Sequence, residues 1–343
     1  MGFASTNWQS LTIKVGSMNN NMPTQRSLMS VASALPVRRF MTSDIDEHAS
    51  NMEGWEVRYD QLSPGRFEGE LLEFRSEWMQ LVRDRSNQAM TKRGIAWDGA
   101  VTFSLPLSAD GPVICSGHPL HEPAMLFAHG GNLPELRTPL HLEVLTVAIK
   151  EQALQHVLEC QGGAFKITDI PKCYRLGRST VQAELSAFLE ELSNCNQSGG
   201  SILDNASIHR AVRDAVMLQL LELVAPDEQP VLNPTSRKLM VDRAREYAMA
   251  HLDEPFSMLD LCNQIGASRR KLQYCFQETL GINPAAYLRT LRLNAVRREL
   301  QKSTMAHGVQ DVAARWGFWH LSRFSSDYRT MFGESPSQTL RRH

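Results

Sequence analysis

Five side chains in the string SRRKLQYCF have the types that read a DNA duplex. Arg270 can donate two parallel hydrogen bonds to a guanine edge and Gln273 can pair with adenine in the same bidentate way. Tyr274 adds a hydroxyl and a flat ring one position on, while Arg269 and Lys271 place fixed positive charge where backbone phosphates would lie. Leu272 and Phe276 are apolar and four apart, so a helical period turns Arg269, Arg270, Gln273 and Tyr274 to the opposite side. Further on, LSRFSSDY presents Leu321, Ser322, Ser325 and Ser326 around Phe324 and Tyr328, with Arg323 beside them. Serine hydroxyls discriminate bases weakly, so the first string is expected to supply most of the direct readout. A second kind of chemistry could come from Cys115, His118, His121, Glu122 and His129, which lie in a turn-rich stretch. Their spacing matches no metal-ligand pattern or His-x-x-x-His pair. No nucleophile–base motif or phosphate-cradling glycine loop supports catalysis either. The expectation is a protein that is not an enzyme, with no catalytic residue, cofactor or metal.

The two strings lie within one pattern written twice. Asp260, Gly266, Leu272, Phe276, Gly281 and Pro284 recur as Asp311, Gly317, Phe324, Tyr328, Gly333 and Pro336. The offset is 51 residues as far as the first glycine and 52 beyond it, so the second turn holds one extra residue. Such a repeat marks duplicated supersecondary units. In the first copy Leu259, Leu261, Cys262 and Ile265 form an apolar helical face. Gly266 supplies the left-handed position that ends the helix, and Ser268 caps the next one. Helix, tight turn and helix make a helix-turn-helix, whose second helix enters the major groove.

Between the copies, residues 284–303 read as one long helix, with Pro284 tolerated in its first turn. Residues 285–302 would span about 27 Å at 1.5 Å per residue, close to the ~34 Å between major-groove windows on one face. Tyr287, Leu288, Leu291, Leu293 and Val296 are the expected contacts with the flanking units. Arg289, Arg292, Arg297, Arg298, Arg329, Arg341 and Arg342 are the expected phosphate ligands, some of them pairing with Asp or Glu instead.

LCNQIGASRRKLQYCFQETLGINPAAYLRTLRL and VAARWGFWHLSRFSSDYRTMFGESPSQTLRR resemble the AraC/XylS-type transcription regulators, whose DNA-binding module holds two helix-turn-helix units joined by a long helix. The run from Ala313 through Gly317-Phe318, Phe324 and Tyr328 to Phe332-Gly333 and Pro336 is the most specific part. GGNLPELRTPLHLEVLTVAI and GFWHLSRF look like the branch that contains ethanolamine-operon regulators. Trp319 and His320 stand where the family has small polar residues, and Leu321 replaces a frequent glutamine. The resemblance implies a cytoplasmic, homodimeric, sequence-specific regulator of transcription. Matching its positions makes Arg270, Gln273 and Tyr274 the base readers, with Ser322, Ser325 and Ser326 at the corresponding places of the second unit. Arg269, Lys271, Arg323, Arg289 and Arg329 then make other DNA contacts. It further implies an N-terminal half that senses a small molecule or protein. Double-stranded DNA and a second copy of the chain are the implied partners, with RNA polymerase and a small-molecule effector as further candidates. The alternative is a ligand-independent regulator or anti-activator whose N-terminal half only oligomerises.

A chain of 343 residues with a net charge of −1 suits two domains, and the balance hides an asymmetry. Residues 234–343 hold 17 Lys+Arg against 10 Asp+Glu, while the rest holds 19 against 27. A basic C-terminal third suits a polyanion. The six cysteines show no C-x-x-C spacing or disulfide framework, as in a reduced compartment. There is no apolar run of about 18 residues, so no membrane span is expected.

The fold class expected is α+β. Residues 1–37 read as a flexible tail, 38–228 as a β-rich sensing and dimerisation domain with helices, 229–236 as a linker and 237–343 as the all-α DNA-binding domain. Strands are expected at 66–74, 100–107 and 141–149, and helices at 150–160 and 208–224. Trp55, Trp78, Trp97, Phe103 and Phe127 could line a pocket, the competing reading being that they fill the core. Val181, Leu185, Phe188 and Leu192 recur at four, three and four, a stripe that suits a core face or a helix-pairing seam, and the resemblance implies that helices of this region mediate homodimerisation.

Overall fold

The period-two runs of the first half pair into antiparallel sheets in the computed structural model, which describes residues 38–120, 124–163, 166–171, 173–175, 187, 206–224, 231–251, 257–302 and 308–342. One sheet has seven strands in the order β1 (Arg38–Thr42), β3 (Gly69–Arg75), β4 (Met79–Ser86), β11 (Leu142–Lys150), β6 (Ala100–Ala109), β9 (Leu126–His129) and β12 (Cys173–Arg175). The other has five, in the order β2 (Glu56–Gln61), β5 (Met90–Ile95), β10 (Leu136–Arg137), β7 (Val113–Cys115) and β8 (His118–Leu120). The three expected strands appear as β3, β6 and β11. The last is paired on both sides, by β4 and β6, which suits its mostly apolar run. Gly94 permits the close pairing of β2 and β5, because at φ +144° an added Cβ would lie 2.1 Å from the Glu56 carbonyl oxygen.

Successive side chains of the larger sheet point to opposite faces. Val101, Phe103, Phe127, Leu145 and Val147 face helices α2 (Glu151–Cys160) and α3 (Ala206–Val224), forming the main core with Leu154, Val216 and Leu220. Their neighbours Thr102, Ser104, Val144 and Thr146 face the smaller sheet across a cavity of about 90 Å³. Of the five aromatic residues weighed as pocket or core, Trp55 alone lines this cavity. Trp78, Phe103 and Phe127 are core, and the Trp97 indole donates to Gln80 Oε1 at 2.8 Å.

A short helix, α1 (Ile45–Ser50), lies against β2, β1 and β3, capped by the Asp44 carboxylate. The described members of the possible catalytic group are not brought together. His118 Nε2 lies 2.8 Å from the Asn233 carbonyl oxygen, and His129 bridges Glu151 and the Ile170 carbonyl oxygen. Cys115 is buried in a separate apolar cluster, and His121 and Glu122 lie outside the described residues. Among the described residues no three His, Cys, Asp or Glu are placed to hold a metal.

The second half is helical: α4 (Ser236–Ala250), α5 (Met258–Ile265), α6 (Arg269–Leu280), α7 (Pro284–Lys302), α8 (Val309–Arg315), α9 (Leu321–Phe332) and α10 (Pro336–Arg342). The first repeat closes around Leu261, Leu272, Phe276 and Tyr287. The second closes around Val312, Phe324, Tyr328 and Phe332. Helix α7 serves both cores, Leu288 and Leu291 in the first, Leu293, Val296 and Leu300 in the second. The architecture is α+β, as expected, and among the described residues no helix is long and apolar enough to cross a membrane. Val181, Leu185, Phe188 and Leu192 lie outside the described residues.

Candidate nucleic-acid interface

Local chemistry alone builds the first unit. Ser257 and Asp260 form a capping box at the start of α5, the Asp260 N–H donating to Ser257 Oγ and the Ser257 N–H to Asp260 Oδ2. Gly266 ends that helix at φ +68°, a conformation a Cβ would oppose. Ser268 then caps α6, accepting from the Lys271 N–H at 3.2 Å. Leu272, Cys275, Phe276, Thr279 and Leu280 are buried, which leaves Arg269, Arg270, Lys271, Gln273 and Tyr274 exposed together on the other face. The structure adds a residue that the repeat did not point to. Arg237 of α4 places its guanidinium 5.8 Å from the Tyr274 ring centre, extending the positive face beyond the helix-turn-helix. Arg237 stands outside the repeat, so spacing held no sign of it.

In the second unit the Asp311 carboxylate accepts from the Gly308 N–H, and the turn between α8 and α9 carries the extra residue. Phe324, Tyr328, Met331 and Phe332 are buried; Leu321, Ser322, Arg323, Ser325, Ser326 and Arg329 are exposed. Arg289 is half-buried, ion-paired with Asp327 and set over the Phe318 ring. Its burial and the nearby positive charges of Arg323 and Arg292 push its pKa below the ordinary guanidinium value. Arg292 of α7 and Arg323 of α9 thus lie near enough for their charges to act on Arg289.

Two arginines expected at phosphates are instead turned inward. Arg297 holds Asp44 Oδ2 at 2.8 Å and Glu334 Oε1 at 2.7 Å, with side-chain exposures of 5%, 7% and 11%. Arg298 holds Asp46 at 2.6 Å and Asp60 at 2.7 Å, and donates to the Tyr59 carbonyl oxygen. Between the two cores, the buried Asn294 amide accepts from the Gln61 N–H and donates to the Gln61 carbonyl, both at 3.0 Å. It thereby satisfies a β2 backbone edge as a neighbouring strand would. A second clasp joins Glu135 to Lys238, at 3.1 Å, and to Arg245, both on α4. The helical half is thus held against the β-rich half by buried charge.

These carboxylates make the clasp acid-sensitive. Burial alone would raise Asp44, but Arg297 and the Glu47 and Asp46 N–H groups hold it below its ordinary 3.8. Asp60 is lowered by Arg298, Arg58 and Arg93 against its own burial. Glu135 is lowered below 4.5 by Lys238 and Arg245, again against burial. Asp46 runs the other way, because burial outweighs Arg298. A carboxyl whose folded pKa is depressed stabilises above its unfolded value and loses that contribution as pH falls through the folded one. Three lowered groups against one raised give an expected fall in unfolding free energy from about pH 4 downward. Urea midpoints at about pH 6 and about pH 3 measure it, and equal midpoints would remove the clasp as a source of stability.

The cavity wall reaches the same clasp. Asp84, buried between the sheets, is bound by Lys92 at 2.6 Å, His48 at 3.1 Å and the Tyr59 hydroxyl at 3.3 Å. Burial would raise it, but Lys92 and His48 hold it well below the usual carboxylate range. His48 belongs to α1, whose capping residue Asp44 is the partner of Arg297. Tyr59 lines the cavity and its carbonyl oxygen accepts from Arg298. Sequence spacing showed none of this, because the partners come from distant segments.

Comparison with known proteins agrees with this geometry. A family described as a helix-turn-helix domain matches residues 261–342. The probable thc operon regulatory protein of Rhodococcus erythropolis is 29% identical over 208 residues, 60% of this chain and 63% of that protein. The XylDLEGF operon transcriptional activator of Pseudomonas putida is 33% identical over 101 residues, 29% of this chain and 32% of that one. The chain therefore spans less than two thirds of either relative. A crystal structure of a probable AraC family transcriptional regulator from Rhodopseudomonas palustris is 34% identical, covering 30% of this chain and 96% of that one, with a TM-score of 0.29. Through its C-terminal tandem of helix-turn-helix units, the chain carries a helix-turn-helix domain similar to that of the AraC/XylS-type transcriptional regulators.

Proposed function

We propose that this chain is a sequence-specific, DNA-binding regulator of transcription whose β-rich half controls the helical half through α7. The observation that carries the reading is the face of α6. Arg270, Gln273 and Tyr274 stand exposed beside one another on the second helix of a helix-turn-helix, with Arg269, Lys271 and Arg237 as flanking cations. Arg270→Ala is expected to reduce discrimination at one base pair by about 1–3 kcal/mol. Selection from random duplexes measures it, and an unchanged preference would count against Arg270 as a base reader.

Control by a small molecule is supported by the cavity and its two routes to α7, one through His48 and Asp44, the other through Tyr59. A molecule seated between the sheets shifts the clasp only by binding its open and closed states differently. The test is genomic footprinting with and without candidate small metabolites. Footprints that no metabolite moves would favour the ligand-independent reading, in which this half only oligomerises. The modest cavity, about 90 Å³ beside the 300 Å³ or more of ordinary ligand sites, is the observation that keeps that reading in view.

A homodimer in the cytoplasm, working with RNA polymerase, completes the proposal by family likeness. The strings at 130–149 and 317–324 support kinship with the branch that contains ethanolamine-operon regulators.

A further inference from the structure

Resting on the DNA-reading proposal, we propose that the second unit recognises thymine through its C5-methyl group, with Leu321 as the contact and Trp319 beside it as an apolar wall. The two helix-turn-helix copies differ most where a base would be met. The 52-residue offset sets Ser322, Ser325 and Ser326 against Arg270, Gln273 and Tyr274. None of these serines can make the paired, in-plane hydrogen bonds by which arginine selects guanine or glutamine selects adenine. What the second copy exposes instead is apolar. Trp319 is 68% exposed and Leu321, the first residue of α9, is 37% exposed, while Phe318 and Phe324 turn into the core at 8% and 1%.

The inward pull of Phe318 and Phe324 decides where the other two side chains point. It fixes the turn on both sides of Trp319 and His320, and α9 starts at once with the Phe324 N–H donating to the His320 carbonyl oxygen at 2.9 Å. An exposed leucine in the first turn of a recognition helix lies where side chains reach base edges. In the major groove, thymine differs from the other bases by a methyl group beside an O4 acceptor. Leu321 can cover the methyl while the hydroxyl of Ser322 donates to O4.

The surroundings identify the occupant as a polyanion rather than an apolar protein surface. Arg323 and Arg329 are exposed on α9 itself, and Arg323 lies close enough to Arg289 for its charge to be felt there. A duplex suits apolar side chains set among free cations.

The test uses the full chain and duplexes selected from a random pool. Each thymine of the selected site is replaced in turn by deoxyuridine, which removes the methyl group alone. At one or two positions within the footprint of the second unit, the wild type is expected to lose affinity roughly three- to tenfold. Leu321→Ala should show a comparable loss on the thymine duplex and no further loss on the uracil one. Leu321→Met should retain the effect, and Arg270→Ala should leave it intact. An unchanged thermal melt shows that Leu321→Ala is folded.

Equal binding of thymine and uracil duplexes at every position would overturn the inference while leaving the selected sites, and so the DNA-reading proposal, standing. A uracil penalty that survives in Leu321→Ala would overturn the assignment to this residue. Normal DNA binding by Leu321→Ala with lost transcription would overturn it in favour of a protein contact. Failure to select any duplex would remove the inference together with the reading it rests on.

Discussion

Arg297→Ala lowers the free energy of unfolding by about 3–5 kcal/mol, the expected result of truncating one partner of a buried ion pair. Two carboxylates pair with this guanidinium, Asp44 and Glu334, with side-chain exposures of 7% and 11%, and Glu334 also holds Arg342 at 3.1 Å. Once it is removed, both stay in a low-dielectric site with their main cation missing. The side chain also covers the Phe332 ring at 4.9 Å, so apolar contact is lost as well as charge. A second substitution separates these contributions. Asp44→Asn keeps the side-chain oxygen that caps α1, which accepts from the Asp46 and Glu47 N–H groups at 2.9 Å, but removes the charge. Arg297→Met with Asp44→Asn should therefore recover part of the loss, since it fills the site and neutralises one of the two carboxylates, while Glu334 keeps Arg342 at 3.1 Å. Urea denaturation of Arg297→Met, Asp44→Asn and the double variant gives the coupling directly. An Arg297→Ala protein within about 0.5 kcal/mol of wild type would mean that water reaches the pair and that α7 is not held by charge.

Phe324→Ala is expected to cost about 3–5 kcal/mol and to abolish DNA binding by the second unit. Phe324 is 1% exposed and packs against Phe318 at 5.0 Å and Tyr328 at 5.7 Å between ring centres. The alanine leaves a void where the two helices of the unit meet α7, and close-packed interiors fill such voids only in part. Trp319→Ala, five residues earlier and 68% exposed, should stay within about 0.5 kcal/mol of wild type. The contrast between these two aromatic residues is the measurement, made by thermal melting of both variants. If Trp319→Ala were the more damaging, the second core would be arranged differently from the first.

The repeat, the helices it encodes and the two cores were all legible in the sequence, and so was the exposed face of α6. Each depends on residues a few positions apart: a cap on its own helix, a glycine at its own turn, Leu272 and Phe276 on one side of one helix. Local chemistry and a 3.6-residue period settle such features before any tertiary contact forms. The strands at β3, β6 and β11 were legible for the same reason, with the period of two. Residues that serve two distant elements were not. Arg297 and Arg298 read as phosphate ligands, since nothing near them in the chain distinguishes them from Arg329. Their partners lie far upstream, Arg297 and Asp44 being 253 residues apart and Asn294 and Gln61 233 apart. The acidic excess of the first two thirds gave the sign of that attraction but not its location.

By itself, then, the sequence determined a pair of helix-turn-helix units and the side chains they turn outward, because backbone period and capping act within a few residues. The tertiary structure alone decided which arginines are withheld from solvent, where the sheets leave a cavity and how its wall reaches α7. Those depend on which distant surfaces meet when the sheets close and the helices pack against them, and no local spacing encodes that pairing.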